Sequence, residues 1–460
     1  MAYPRVAPGL WAVVFVLVAV PLVAQRTPEQ RYFDWTEVPF PAAEYSARRA
    51  ALSTALRQSG GGVFLAPAAA GASEGFTFRQ LDTIWCLTGL EVPDALVAID
   101  SDDGRATAYT PPRDARFENP ARANDFPGRP LQADPDLAVR TGLAAVKPMA
   151  QFETDLAAWV AAGRRLRVDP GGPGAVVADE PGPIQPVAPL RHFAAWLARR
   201  HPSAQLSSAY RDVALTRMVK SPAEIALMRR SARLAVDGIA HAAQFVKDGI
   251  DERGLEAELE AFYKRGGAQR LPFASIIKSG PNALWPWRIL ATHNDRRNRR
   301  MRNGELVIFD VGCELHGYVS DTGRTFPVSG RFTDEQRAIL TMEVAVSDAI
   351  MAAMRPGVTL ADVQRVAERA IPADARAYMQ TGSFFGHHLG LSSADPSVDD
   401  VPLAPGMVIT VEPWYYNHDR GISVFTEDDI LITATGRENL TGHVARTPAA
   451  LEALMRVSGR

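Results

Sequence analysis

The segment LVIFDVGCELHGYVSDTGRTFP, residues 306–327, places two aspartates among apolar residues. Asp310 ends an apolar run that has the pattern of a buried strand. Asp321 follows eleven residues later, after a predicted turn and a second short extended segment. Burial of a carboxylate is costly unless a cation compensates its charge. Two interpretations follow, a metal shared between adjacent strands or ordinary solvated loop aspartates.

Three later stretches repeat this combination of ionisable side chains and apolar sequence. His387 lies in FFGHHLGL, Glu412 ends the run MVITVE, and Glu427 begins EDDILIT. With the two aspartates, these residues offer four carboxylates and one imidazole. A set dominated by oxygen donors suits a pair of divalent ions, for which we expect manganese, with cobalt, zinc or iron as alternatives. A two-metal site can hold a hydroxide between the ions and polarise a carbonyl.

The size and charge of the chain limit the other classes of function. Its 460 residues exceed the length at which one hydrophobic core keeps growing, so two domains are expected. With 47% hydrophobic residues and 22% charged residues, the composition is that of a soluble globular protein. The net charge of −2 gives no electrostatic reason to expect nucleic acid or an anionic membrane as a partner.

The N-terminus has the pattern of an export signal. A basic residue, Arg5, precedes an apolar run at 10–24 that is short for a membrane span and is followed by polar residues. We therefore expect a signal peptide at 1–24, cleaved after Ala24, and a periplasmic or secreted protein. A retained membrane anchor is the alternative, because Leu22 is not the small residue preferred near a cleavage site.

The rest of the chain divides into two patterns. After an extended lead at 25–42, the region 43–210 alternates helical and strand-like segments, as α/β domains do. The region 211–456 begins with a capping-box pattern at Ser221–Glu224 and then becomes rich in strands, which predicts an α+β domain. The two cysteines, Cys86 and Cys313, are expected to remain buried thiols.

The order and spacing of the five candidate ligands resemble those of the pita-bread metallopeptidases, in particular the aminopeptidase P and prolidase branch. The motifs that carry this resemblance are DVGCELHGYVSDTGRTFPVSGRF, GMVITVEPWYY…RGISVFTEDDILIT and, in the first domain, FTFRQLDTIWCLTGL. The resemblance implies a smaller creatinase-like α/β domain followed by an α+β pita-bread catalytic domain. It also implies hydrolysis of the N-terminal Xaa-Pro bond of peptides with proline at the second position. We further expect a homo-oligomer.

The resemblance also implies a role for each site residue. Asp310 would chelate one ion, His387 and Glu412 would bind the other, and Asp321 and Glu427 would bridge both. Glu412 would in addition move the proton of the attacking hydroxide.

Three histidine and cysteine positions close to these motifs are interpreted separately. His293, seventeen residues before Asp310, matches the histidine with which the family steadies the substrate. His388 should point away from its neighbour His387 and is expected to pack or to support the ligands. Cys313 should face away from the metals.

Two departures from the family pattern bear on activity. Ala394 stands where the family has a second histidine that contacts the scissile carbonyl, and Phe425 stands where it often has arginine. Extra residues around Trp285 and Trp287 either close an apolar pocket or simply pack. An Xaa-Pro dipeptidase and a metal-binding, peptide-binding homologue with weak catalysis therefore remain alternatives. A metal-free hydrolase is disfavoured, because all five candidate ligands are present.

Overall fold

The computed structural model describes residues 38–71, 78–112, 135–177, 188–284, 298–379 and 386–456. The predicted signal peptide, most of the lead, His293 and the two tryptophans of the extra segment lie outside the described residues. In the described ranges, no helix combines the length and the apolar composition that a membrane crossing requires.

The first domain is built on a six-stranded mixed sheet with the strand order β4-β3-β2-β1-β5-β6. Strands β1 to β3 pair antiparallel in sequence, whereas β4, β5 and β6 each pair parallel to a neighbour. The strands are β1 (Val63–Pro67), β2 (Leu96–Asp100), β3 (Ala106–Thr110), β4 (Ala145–Pro148), β5 (Arg165–Val168) and β6 (Gln205–Ser208).

Helices cover both faces of this sheet, because successive side chains of each strand point to opposite sides. Phe64 and Ala66 pack in one apolar cluster, whereas Val63 and Leu65 pack in another. The alternation of helices and strands predicted for this region is confirmed, and its first helix ends at Gln58, just before the glycines at 60–62. The helices are α1 (Ala42–Gln58), α2 (Asp82–Thr88), α3 (Pro135–Thr141), α4 (Met149–Ala161), α5 (Pro189–Arg200) and α6 (Tyr210–Met218). Val213 of α6 packs in an apolar cluster of this sheet, so the first domain extends to the end of α6, past the predicted boundary at residue 210.

The second domain combines helices with short antiparallel sheets. Its first helix begins with both hydrogen bonds of the predicted capping box between Ser221 and Glu224. The helices are α7 (Pro222–Ala243), α8 (Glu252–Arg265), α9 (Asp334–Ala353), α10 (Leu360–Ala370) and α11 (Pro448–Leu454). The strands are β7 (Ile276–Ser279), β8 (Leu306–Val311), β9 (Glu314–Leu315), β10 (Tyr318–Val319), β11 (Thr322–Pro327), β12 (Val408–Val411), β13 (Trp414–Asn417), β14 (Ile422–Phe425), β15 (Asp428–Ile432) and β16 (Arg437–Asn439).

One face of these strands packs on the helices and the other carries the candidate ligands. Val307 and Phe309 of β8 belong to the large apolar cluster that includes the helices, whereas Ile308 lies in a small separate cluster. Asp310 therefore shares the face of Ile308, turned away from the helices. By the same alternation in β12, Ile409 packs towards the helices and the next residue, Thr410, points towards the site.

The two domains share a buried contact. Phe40 and Cys86 of the first domain pack in one cluster with Tyr318 and Leu389 of the second. The rings of Phe40 and Tyr318 meet edge to face at 5.9 Å. Both cysteines are free and buried, as predicted.

Candidate metal centre

Backbone pairing brings two of the candidate carboxylates to either side of one glycine. Asp310 lies opposite Gly323 in the antiparallel pair of β8 and β11. On its other side, Gly323 exchanges two main-chain hydrogen bonds with Glu427, at 3.2 and 3.0 Å. Glu427 lies between the ends of β14 and β15, so a single residue of β11 sets the spacing between Asp310 and Glu427.

A tight hairpin delivers Asp321 to the same place. Strands β9 and β10 pair around His316 and Gly317, whose φ angles are 48° and 82°. Two successive positive φ values are the requirement of the short hairpin turn whose twist matches that of the strands. The chain therefore reverses within two residues, and Asp321 enters the site immediately before β11.

The five candidate residues form a compact group centred on Asp321. Ligand atoms of Asp321, His387 and Glu427 all lie within 4.8 Å of one another. The Nε2 atom of His387 is 3.8 Å from Oδ2 of Asp321 and 3.3 Å from Oε1 of Glu412. Asp310 is close enough to act electrostatically on Asp321, Glu412 and Glu427. The fold thus brings together every metal ligand predicted from the sequence.

The side chain of Thr410 fixes Glu412 and His387 relative to each other. The hydroxyl of Thr410 donates to Oε1 of Glu412 at 3.2 Å and accepts from the main-chain N–H of His387 at 3.1 Å. The Nδ1 atom of His387 lies 3.3 Å from the carbonyl oxygen of His388, which favours the tautomer with a proton on Nδ1. Nε2 then has its lone pair directed at the carboxylates, as metal ligation by this atom requires.

The electrostatics of the group call for a cation. Burial, together with the neighbouring carboxylates, raises the pKa of Asp321 and of Glu427 well above their ordinary values. Burial beside Asp310 raises the pKa of Glu412 to about 8. Within the described ranges, Oδ1 of Asp321 and Oε2 of Glu427 are buried without a hydrogen-bond partner. Buried unpaired oxygens of this kind are costly unless a metal or a proton satisfies them, so the donor set fits divalent cations.

Two supporting residues were missed by the sequence analysis. Asp429 accepts a hydrogen bond from the main-chain N–H of Asp321 at 3.3 Å. Arg324 is completely buried and donates to the carbonyl oxygens of Gly323 and Glu427, both at 2.6 Å, and to the carboxylate of Asp428. A signal was present, since the motifs RTFP and EDD place charged residues inside strand patterns.

Ala394 lies beside two of the candidate ligands. It lines a cavity of about 600 Å³ that also touches His387 and Glu412. Ser392, a nearby hydroxyl, donates within its own loop to the carbonyl of Ala394 at 3.1 Å. His388 is buried and lines the same cavity.

Phe425 and Cys313 are both packed against other side chains of the second domain. Phe425 is fully buried and packs with Ile308 and Trp414 beside the carboxylates. The Sγ atom of Cys313 lies 3.7 Å from the hydroxyl of Ser231, away from the candidate ligands, as expected.

Comparison with known proteins finds a family match for the region that contains the candidate ligands. Residues 226–434, which contain all five candidate ligands, match the model of metallopeptidase family M24. The solved structure of proline aminopeptidase P II from Yersinia pestis aligns with a TM-score of 0.71 and 27% identity, over 90% of this chain and 99% of that one. The chain therefore carries an M24 metallopeptidase domain over residues 226–434. Its fold is the pita-bread fold of the aminopeptidase P structures, in agreement with the sequence motifs.

Further similar proteins agree with this comparison. The chain is 34% identical to the Xaa-Pro aminopeptidase of Escherichia coli K12 and 35% identical to intermediate cleaving peptidase 55 of Arabidopsis thaliana, each over 52% of its own length. The aligned part spans 59% and 51% of those two proteins. Aminopeptidase PepP of Pseudomonas aeruginosa aligns with a TM-score of 0.73 and 26% identity, over 91% of this chain and 99% of that one.

Proposed function

We propose that this M24 protein is a metal-dependent exopeptidase that removes the N-terminal residue from peptides with proline at the second position. The observation that carries the proposal is the group of buried carboxylates of Asp321, Glu427 and Glu412 around Nε2 of His387. Among the described residues, one oxygen of Asp321 and one of Glu427 have no hydrogen-bond partner. Relatives named as Xaa-Pro aminopeptidases support the substrate class.

Each ligand has a role in this proposal. Asp310 would hold one ion, His387 and Glu412 the other, and Asp321 and Glu427 would bridge both. When bound, two divalent ions, of which manganese is our first choice, would activate a water and polarise the scissile carbonyl.

Glu412 has the position for the proton transfers of peptide hydrolysis. Its Oε1 atom is fixed by Thr410 and lies beside His387. Its pKa of about 8 without metal shows that this carboxylate holds a proton readily at neutral pH. We propose that Glu412 takes a proton from the attacking water and passes it to the departing amine of proline. His293 stays a prediction as the group that steadies the substrate.

The decisive experiment is hydrolysis of a panel of Xaa-Pro dipeptides and longer Xaa-Pro peptides with added manganese, cobalt or zinc. Cleavage of the longer peptides supports the aminopeptidase, whereas cleavage confined to dipeptides supports the prolidase alternative. Asp321→Ala should abolish activity and metal binding, whereas the control Asp237→Ala, at an exposed ion pair on α7, should change neither. A chelated wild type that keeps its activity would contradict the proposal.

A weakened homologue is the second candidate, favoured by one observation. Ala394, which cannot donate a hydrogen bond, forms part of the cavity wall beside His387 and Glu412. This candidate predicts normal metal binding with slow turnover on every Xaa-Pro substrate in the panel.

Export and assembly are separate proposals. We propose that the chain is exported and cleaved after Ala24, and mass spectrometry of the extracytoplasmic protein tests this; an intact Met1 in the membrane fraction would favour the anchor. We also propose a homo-oligomer, which light scattering of the purified protein checks.

A further inference from the structure

A buried charge cluster connects the end of the first domain to the loop that carries His387. Asp395 is the centre of this cluster, and only 1% of its side chain is exposed. Arg217, at the end of α6, and Lys220, in the linker to α7, bind its two carboxylate oxygens. Their side chains are 6% and 2% exposed, so solvent screens these ion pairs very little.

The carboxylate of Asp395 organises the loop that follows the two histidines. Its Oδ1 atom accepts from the main-chain N–H of Leu391 at 3.2 Å and from the hydroxyl of Ser392 at 3.4 Å. The loop wraps tightly around it, since a β-carbon on Gly390 would lie 2.5 Å from Oδ2. Asp395 therefore fixes the conformation of 390–395 from inside.

This loop holds the imidazole of His387 through a main-chain carbonyl. The N–H of Asp395 donates to the carbonyl oxygen of His388 at 2.9 Å, and this same oxygen lies 3.3 Å from Nδ1 of His387. Partners on the second ring nitrogen orient a histidine for metal binding, and their loss reduces metal affinity.

The first domain reinforces the arrangement at two further points. Arg217 also binds the carboxylate of Asp82 on α2, at 3.1 Å. Arg79 donates to the carbonyl oxygen of Leu391 at 2.6 Å. The loop is thus held by residues that lie outside the 226–434 region matched to the family.

We propose that Asp395 is a positioning residue for His387, and that Arg217 and Lys220 make the metal affinity of the second domain depend on the first. The inference rests on the proposed metal centre. Asp395 is not a candidate ligand; it fixes the carbonyl of His388 that orients the imidazole.

The test is Mn²⁺ titration of full-length Asp395→Asn in the absence of peptide. Asparagine keeps the size and an acceptor for Leu391 but loses the charge that Arg217 and Lys220 bind. We expect Mn²⁺ affinity to fall about 10- to 100-fold, the usual effect of changing a group that supports a metal-binding histidine.

The matched control is Asp212→Asn, on the same helix as Arg217. Asp212 forms a buried ion pair with Arg167 at 2.6 Å, with side chains 7% and 4% exposed, but this pair lies in the first domain away from the 386–395 loop. It should lower Tm without changing Mn²⁺ affinity. Equal Mn²⁺ affinity of wild type and Asp395→Asn, with a lowered Tm in both variants, would overturn the positioning role.

Two outcomes need their own readout. If Asp395→Asn does not fold, Arg217→Lys and Lys220→Gln leave the carboxylate in place and are titrated with Mn²⁺ in the same way. A reduced Mn²⁺ affinity of these variants supports the positioning role, and an unchanged affinity overturns it. Visible absorption of the Co²⁺-substituted proteins reports directly on ligand geometry and should change in Asp395→Asn but not in Asp212→Asn. Failure of the proposed function is distinct, since it would appear as a wild type that cleaves no Xaa-Pro peptide.

Discussion

Gly323 and Phe425 are complementary in shape: a β-carbon on Gly323 would lie 2.2 Å from Cε1 of the Phe425 ring. No side chain larger than hydrogen fits there without movement of the ring. Because Gly323 also separates Asp310 from Glu427 in the sheet, the packing of Phe425 and the spacing of the carboxylates depend on each other.

Gly323→Ala should therefore destabilise the protein by about 1–3 kcal/mol, the usual cost of overpacking a core. Urea denaturation of the metal-free protein measures the loss. Phe425→Leu in the same chain should recover part of it, whereas the carbonyl of Phe309, 2.9 Å from the new β-carbon, prevents full recovery. The control is Gly436→Ala, where nothing lies within 4 Å. Equal stability of both alanine variants would contradict the packing argument.

Phe425→Arg, which restores the residue common in the family, should not be tolerated by this chain alone. Phe425 is fully buried and packs against the apolar side chains of Trp414 and Ile308. An uncompensated buried charge typically costs about 3–5 kcal/mol. We expect a large drop in Tm for Phe425→Arg and a small one for Phe425→Leu. An arginine variant as stable as the leucine variant would show that the cavity supplies an acidic partner or solvent.

The sequence predicted which candidate ligands the fold brings together, but not the residues that support them. Asp310 lies in one apolar strand and Glu412 directly follows another. The two-residue period of each strand places these side chains on the face opposite the helices. Asp395 and Arg217 are separated by 178 residues, and nothing in the local pattern of either indicates that they meet. Buried polar networks of this kind arise from tertiary packing, which sequence periodicity does not encode.

The surroundings of Phe425 could not be predicted from the sequence. Phe425 stands two residues before Glu427, a spacing that puts both side chains on the same side of an extended chain. Its tight fit against Gly323 depends on the pairing of β11 with Glu427, two segments about 100 residues apart in the chain. Such complementarity requires the fold to be known.

The stability of the metal-free protein should decrease from about pH 5 to pH 8. The pKa of Glu412 is about 8 in the folded protein, against an ordinary value of 4.5, so in this window the folded state binds more protons than the unfolded state. The free energy of unfolding then falls as pH rises, by on the order of 4 kcal/mol for Glu412. The raised pKa values of Asp321 and Glu427 act in the same direction.

Thermal unfolding at several pH values, after metal removal by a chelator, measures this effect. Glu412→Gln should flatten the dependence. Added Mn²⁺ should reverse it, because metal binding requires deprotonated carboxylates and so becomes stronger as pH rises. A metal-free protein whose Tm increases from pH 5 to pH 8 would contradict the raised pKa values.

The last prediction concerns Ala394. A donor that stabilises the oxyanion of the transition state is typically worth about 3–4 kcal/mol, and alanine provides none. Ser392 donates to the carbonyl of Ala394 and to Asp395, so its hydroxyl is engaged within the loop. Ala394 is exposed on the cavity wall, and a larger side chain there meets little steric resistance. We therefore expect Ala394→His to raise kcat/KM on Xaa-Pro peptides by at least about tenfold, a fraction of the full term.

The measurement is kcat/KM of the manganese-loaded wild type and variant at equal metal occupancy. Ala361→His is the matched control. Ala361 is also an exposed alanine that lines this cavity, but it lies on α10 and not in the loop that follows His387. An imidazole there should leave kcat/KM unchanged, which separates a positioned donor from a general effect of histidine in the cavity. A decrease in kcat/KM for Ala394→His would show that another group already stabilises the oxyanion, and the weakened-enzyme candidate would then be wrong.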